Sequence, residues 1–410
     1  MAFQHGLSGL NAASKNLDVI GNNIANANTT GFKTSRAEFA DMVASAMGAA
    51  GGKSYGIGVE TAAVSQQFSQ GNVTITGNNL DVAINGNGFF KVQQTDGSFA
   101  YTRAGNFKLD KTGDLITNGG AQVMGFKVDE ATGKATSEAQ PLSFPTGAPI
   151  PAKQTSTITA AMNLDARAKD AAGPPAIPRA TYGTSINVFD TQGVSTPVNL
   201  YFEKTANANE WNVYDSLTAT TAVTGSPVKF DENGKIDLTT TSLTLNVTPT
   251  ANPNAGTAAP AVAPFAVTVD LSGATQFGSN FAVSDLTQNG YASGDLASIN
   301  ISNDGMVMAS YSNGVTRAEA QVALANFSNP QGLLAVGGNN WIESIGSGPA
   351  VMGTPGSGKF GALRAGALEE SNVDLTGELV NMMTAQRAYQ ANAQTIKTQD
   401  QVMSTLVNLR

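Results

Sequence analysis

Three places in this 410-residue sequence carry residue types at spacings that chemistry uses. Gly353-Thr-Pro-Gly-Ser-Gly-Lys359 matches the first seven positions of a phosphate-binding loop, in which backbone amides cradle phosphates and the lysine reaches the outer ones. That loop also needs Ser or Thr next, to hold magnesium, and a helix whose N-terminus faces the phosphates. Phe360 stands there instead, and Gly361 and Gly366 interrupt any helix, so the stretch reads as a connector. The overlapping Gly356-x-Gly358-x-x-Gly361 is a weak dinucleotide pattern of the kind a glycine-rich chain produces by chance. Asp110-Lys-Thr-Gly-Asp114 begins like a calcium loop but lacks the glycine at position six and the glutamate at position twelve, which leaves a hairpin turn. His5 is the sole histidine and there is no cysteine. Disulfides, zinc fingers, iron–sulfur clusters, thiol nucleophiles, His-based triads and multi-His metal sites are thereby excluded within one chain. The sequence predicts no catalytic, cofactor or metal site, and no enzyme.

Composition points elsewhere. Charged residues make up 13% of the chain, against about 25% in ordinary soluble proteins. Ala, Thr, Ser, Asn and Gly replace them, which suits an interaction surface. The net charge of −8 argues against a nucleic-acid partner, whose phosphates call for a basic stripe. No run of 18 apolar residues encodes a membrane span. The start, MAFQHGLSGLNAASKNL, lacks the basic-then-apolar order of a secretory signal.

The elements that must position anything are of two kinds. At the N-terminus Leu7, Leu10, Ala13, Leu17, Ile20, Ile24 and Ala27 alternate three- and four-residue steps, the seam of a helix packed on another helix. At the C-terminus Leu375, Met382, Tyr389, Ile396 and Met403 recur every seventh residue. Leu379, Ala393 and Val407 form the companion seam, with Gln386 and Asp400 as polar exceptions. Ser371 followed by Asp374 reads as a helix-start box, and 375–408 as helix. If the two end helices pack together they must run antiparallel. Residues 1–28 carry only Lys15 and Asp18 as charges, whereas a water-exposed helix normally has a charged outer face. Asn11, Asn16, Asn22, Asn23, Asn26, Gly6, Gly9 and Gly21 each cost about 0.5–1 kcal/mol relative to alanine, so this helix is expected to order only on assembly.

Between the ends, Asp96-Gly97, Thr112-Gly113, Asn118-Gly119, Gln192-Gly193, Asn233-Gly234, Asp304-Gly305 and Asn313-Gly314 punctuate β-branched stretches, which predicts an all-β middle. Prolines from Pro141 to Pro151 and the loop near Thr287–Gly290 divide it; Ala171–Pro178 and Ala251–Pro264 are of low complexity. The expected fold is mainly β with terminal α-helices: an antiparallel, coiled-coil-like helical stalk from both chain ends carrying nested β-barrel or sandwich domains. Residues 1–33 and 366–410 form the helical core, 34–72 and 355–365 an extended connector, 73–145 and 287–354 an inner β domain, and 146–286 an inserted outer β domain.

Asn22-Asn23-Ile-Ala-Asn26 with Thr29-Thr-Gly31-Phe32-Lys33 resembles the N-terminal signature of the bacterial flagellar axial proteins, the family of rod and hook subunits. Leu80-Asp81-Val-Ala-Ile-Asn-Gly86 with Gly88-Phe-Phe90 resembles its second motif. Tyr101-Thr-Arg103-x-Gly105-x-Phe107, then Asp110 and Gly113, resembles its third. The C-terminal block is the most specific: Gly366 through Glu369 to Asn372 and Asp374, then Gln386-Arg387-Ala-Tyr389-Gln-Ala-Asn392, then Thr405 to Leu409. The 146–286 insertion, with Gln288–Tyr291, resembles the hook branch; the distal rod branch, shorter and without a large second insertion, is the alternative. Ala44–Gly58, rich in Ala and Gly, blurs the two. The resemblance implies a structural role without cofactor or metal, in which many copies polymerise helically into a curved tube that carries motor torque to the filament as a universal joint. It implies a flagellar location outside the cell and export by the flagellar type III apparatus without a cleaved signal. The implied partners are other copies of the chain and the rod, hook-cap, length-control and hook–filament junction proteins. A different class of reading is a β-rich surface adhesin that oligomerises through its terminal helices.

Overall fold

The computed structural model describes residues 2–44, 55–129, 134–147, 149–172, 177–249 and 263–408. The chain is mainly β with a helix at each end, α1 (Ala2–Ala25) and α2 (Leu375–Asn408). Most of Ala44–Gly58, the centre of Ala171–Pro178, most of Ala251–Pro264 and the Val407 side chain lie outside the described residues.

Two compact units result, and the chain passes between them four times. The first comprises Met1–Gly147, Ser298–Ser310 and Thr316–Arg410; the second comprises Ala148–Ala297 with Tyr311–Val315. In the first unit the stretch after α1, expected to be an extended connector, is an antiparallel ribbon of β1 (Ser35–Ala44) and β2 (Tyr55–Gln66). Helix α1 packs on this ribbon and on α2. A large sheet, 13-stranded among the described residues, forms the body. Its aromatic core brings Phe89, Tyr101, Phe327 and Trp341 together edge to face, with Phe68 against Phe89 at 5.5 Å. The chain returning toward α2 pairs with early strands: Ala362–Ala365 on Val82–Asn85, and Ala367–Glu369 on Val73–Ile75. This pairing delivers the root of α2 to the root of α1.

In the second unit, a four-stranded antiparallel sheet and a five-stranded mixed sheet share one apolar core. Every second residue of Thr157–Asp165 and Ser195–Lys204 faces that core, as period-two side-chain alternation requires. Trp211 at its centre donates from Nε1 to Gln276 Oε1 at 3.0 Å, so the buried indole N–H is satisfied.

The glycines of six expected turns, Asp96-Gly97 to Asn313-Gly314, have positive φ; at Asn118-Gly119 the positive φ falls one residue later, on Gly120. Asp110–Asp114 is the turn between the short strands Lys108–Leu109 and Leu115–Ile116. Gly353–Lys359 leads from strand Val351–Gly353 into a turn, and strand Ala362–Ala365 follows in place of the helix a phosphate site needs. Phe360 folds back onto Gly353, where a Cβ would meet its ring at 2.2 Å.

Candidate assembly surface and the joint beneath it

The residues singled out in the sequence fall into two groups: the stripes of the two helices, and the motifs where the helices meet the β body. The within-chain helix contact uses small residues. Gly6 lies against Ile396, and Gly9 against Asn392, so α1 and α2 run in opposite directions. A Cβ added at either glycine would stand 2.9 Å from those side chains. The α1 glycines, read in the sequence as helix-weakening, are what permits this approach. Gly6, Ala13 and Ile20 are buried at seven-residue intervals. Leu10, Leu17 and Ile24 are half-buried, and Leu7 is 44% exposed.

On α2 the companion seam is shifted by one residue from the expected one. The less exposed positions are Glu378, Ala385, Asn392 and Gln399, alongside Met382 and Ile396. Leu379, Gln386 and Asp400 of the expected seam are exposed, and only the small Ala393 stays half-buried. The small residues at this contact belong to α1: Gly6 and Gly9 leave room for Ile396 and Asn392 of α2. Leu375, Leu379, Tyr389 and Met403 are exposed, between 38% and 55%, together with Val380, Met383 and Val402. Gln386 and Arg387 are exposed on α2 as well. An apolar stripe of this extent on a helix normally marks a contact surface.

The helix-start box resolves differently from the expectation. Asp374 is the cap, accepting from the Thr376 backbone N–H at 3.0 Å; Ser371 Oγ accepts from Val373 N–H at 3.3 Å, outside the helix.

Beneath the helices, the motif residues tie the two roots together. Asn23 exchanges two hydrogen bonds with the Ser35 backbone, at 2.8 and 2.9 Å, which fixes the angle between α1 and β1. Asn22 and Asn26 close the last turn of α1, Asn26 Nδ2 donating to the Asn22 carbonyl at 2.9 Å. Gly31 sits at φ +70°, where an added Cβ would lie only 2.6 Å from Ala104 N, and its N–H donates to the Glu369 carbonyl at 2.8 Å. Phe32 is buried behind it. Asn372 accepts from Thr34 N and Oγ1 at 2.7 and 2.8 Å while donating to Gln67 O at 2.8 Å. Asp81 accepts from Thr76 Oγ1 at 2.7 Å and from Asn78 Nδ2 at 3.1 Å, holding the turn that precedes Val82–Asn85.

A buried ion cluster that the sequence pattern did not single out lies at the same place. Glu369 pairs with Lys33 at 2.6 Å and with Arg103 at 3.2 Å, all three side chains at most 4% exposed. Burial pushes both cations' pKa values down, against the pull of the Glu369 carboxylate. The available signal was that Lys33, Arg103 and Glu369 each stand inside one of the motif blocks.

For chemistry the inventory is sparse. His5 Nε2 lies 2.9 Å from the Gly56 carbonyl on the ribbon. Among the described residues no cluster of His, Asp and Glu is arranged to hold a metal, and no helix is long and apolar enough to cross a membrane.

Four stretches of the chain match known protein families in sequence. Residues 3–33 match the flagella basal body rod protein family, and 83–162 the D1 domain of flagellar hook protein FlgE/F/G. Residues 163–291 match the flagellar basal body protein FlaE D2 domain, and 364–409 the C-terminal region of the flagellar basal body rod FlgEFG proteins. The chain is 44% identical to the flagellar hook protein FlgE of Salmonella typhimurium and 42% identical to that of Escherichia coli K12, each over 100% of both chains. It is 34% identical to the hook protein FlgE of Treponema pallidum, over 99% of this chain and 98% of that one. In fold it is similar to the crystal structure of Helicobacter pylori flagellar hook protein FlgE2, with a TM-score of 0.50 at 15% identity, covering 72% of this chain and 100% of the other. With full-length identity above two-fifths to curated hook proteins, the chain belongs to the flagellar hook protein family.

Proposed function

We propose that this chain is the structural subunit of the bacterial flagellar hook, polymerising helically into a curved tube that carries torque from rod to filament while it bends. The observation that carries the reading is the apolar surface of α2, Leu375, Leu379, Val380, Met383, Tyr389 and Met403, which the isolated chain leaves between 38% and 55% exposed. Completing the burial of these half-exposed side chains against the next copy releases about half of the ~1.5–3 kcal/mol that full burial of a large side chain is worth. Contacts that join different faces of successive copies do not close on themselves and generate helical filaments.

In this reading the paired end helices form a coiled-coil-like stalk and line a central channel. The ribbon β1–β2 is a connector, and the β units, read as nested barrel or sandwich domains, form the outer layers. The terminal seam residues are assembly contacts. Asn22, Asn23, Asn26, Gly31, Phe32, Asp81, Asn372, Asp374, Gln386, Arg387 and Asn392 shape the helix roots and faces that make those contacts possible. The partners are further copies of the chain and, at the tube ends, the rod, cap, length-control and junction proteins. Delivery is by the flagellar type III apparatus.

Electron microscopy of the concentrated protein tests this directly. Tubes are expected; discrete closed particles would favour an adhesin, and nucleotide turnover an enzyme. Deleting residues 146–286 should leave tubes whose curvature differs from the parent's, and unchanged curvature would remove the outer unit from the bending mechanism.

A further inference from the structure

The Lys33–Glu369–Arg103 cluster joins three segments that sequence keeps far apart: the chain leaving α1, the strand leading into α2, and the end of strand Phe99–Thr102 in the body. Glu369 Oε1 accepts from Lys33 Nζ at 2.6 Å and from Gly71 N–H at 2.9 Å, while Oε2 accepts from Arg103 at 3.2 Å. Lys33 Nζ also donates to the Ser69 carbonyl at 2.8 Å. A Cβ at Gly71 would stand 2.0 Å from the Glu370 carbonyl, so glycine lets this amide reach the carboxylate. The Arg103 guanidinium lies 5.2 Å from the Phe89 ring centre, which anchors it in the aromatic core.

Buried ion clusters give little net stability, because desolvation offsets much of the attraction, but their bonds are directional. Rotating either helix root against the body breaks at least one of these bonds where no water replaces it. We propose that this cluster is the joint that sets the angle of the terminal helices on the body of the first unit, and through it the twist and curvature of the polymer. Lys33, Arg103 and Glu369 are positioning residues in this scheme, and its second half rests on the hook reading above.

The chain has no cysteine, so two spin labels can be placed at will, at Lys111→Cys on the body and Gln390→Cys on α2, both exposed. The variants are Glu369→Gln, and the volume-matched Lys33→Met/Arg103→Met/Glu369→Leu. Pulsed dipolar distances on the monomer should broaden at least twofold or shift in both variants, and tubes should show a changed helical repeat or curvature by cryo-electron microscopy. A triple variant as heat-stable as the parent, with the parent's distances or the parent's tube geometry, overturns the proposal. So does a triple variant that fails to fold, since a cluster whose role is directional tolerates apolar replacement. Should the parent itself form no tubes, the hook reading fails while the monomer distances still decide the joint.

Discussion

The outward stripe of α2 makes the sharpest test. Leu379 and Met383 lie one turn apart and are 47% and 53% exposed. Replacing both with glutamine keeps helix propensity close to that of the parent. Complete burial of a Leu or Met side chain is worth about 1.5–3 kcal/mol, and about half of that remains to be gained in the isolated chain. The pair therefore contributes about 1.5–3 kcal/mol per subunit to assembly, or about a 10- to 100-fold rise in critical concentration when lost. Polymer seeded with tube fragments and sedimented over a range of total concentrations gives the critical concentration as the plateau in the supernatant. Thermal unfolding of the dilute monomer provides the control, and its midpoint should move by no more than a few degrees. A critical concentration within twofold of the parent's would refute the reasoning, and so would a large loss of monomer stability, which would assign these side chains to the chain's own packing.

The glycines of α1 divide by what faces them. In the assembled polymer, Gly6→Leu should cost about 1–3 kcal/mol by pressing on Ile396, whereas Gly21→Ala, with nothing within 4 Å, should gain about 0.5–1 kcal/mol, read as opposite shifts in the melting temperature of tubes. Gly31→Ala combines a left-handed φ with a Cβ 2.6 Å from Ala104 N and should cost at least about 2 kcal/mol by denaturant titration. Asp374→Ala should cost about 1 kcal/mol and speed amide exchange in the first turn of α2, while Ser371→Ala leaves that turn unchanged. Amide exchange along α1 should be fast in dilute monomer and slow by orders of magnitude in tubes; strong protection in the monomer would contradict ordering on assembly.

The end helices and the β middle were legible because their signals are local: a seven-residue recurrence at one end, turn dipeptides in the middle. What local pattern could not supply was the choice between adjacent stripes of α2. Hydrophobicity ranks Leu379 above Glu378 and Asn392, but the closest approach is made where Gly6 and Gly9 of α1 leave room, at Ile396 and Asn392. The Lys33–Glu369 pair was out of reach for a different reason, since 336 positions separate its members and only the return pairing of Ala367–Glu369 with Val73–Ile75 brings them together. Ser371 and Asp374 are both competent caps, and only the start of the helix at Leu375 decides between them.

The division of α2 into two stripes has a thermodynamic sense. An ordinary surface helix turns its largest apolar residues toward its own domain and its polar ones toward water. Here the face toward α1 carries Ala385, Asn392 and Gln399 beside Met382 and Ile396, while Leu375, Leu379 and Met383 form an exposed row and Tyr389 and Met403 are exposed in the row of Met382 and Ile396. Glycine and asparagine on α1 further weaken the isolated pair. Much of the apolar surface of α2 is therefore left to be buried between copies, so packing in the polymer adds to packing within the monomer. A surface of few charges supports the same end, because neutral amides and hydroxyls on α1 are easier to desolvate than lysine or glutamate. The low charge of the sequence thus suits a face that is covered by its own kind, and the Lys33–Arg103–Glu369 cluster lies where direction, and not adhesion, is required.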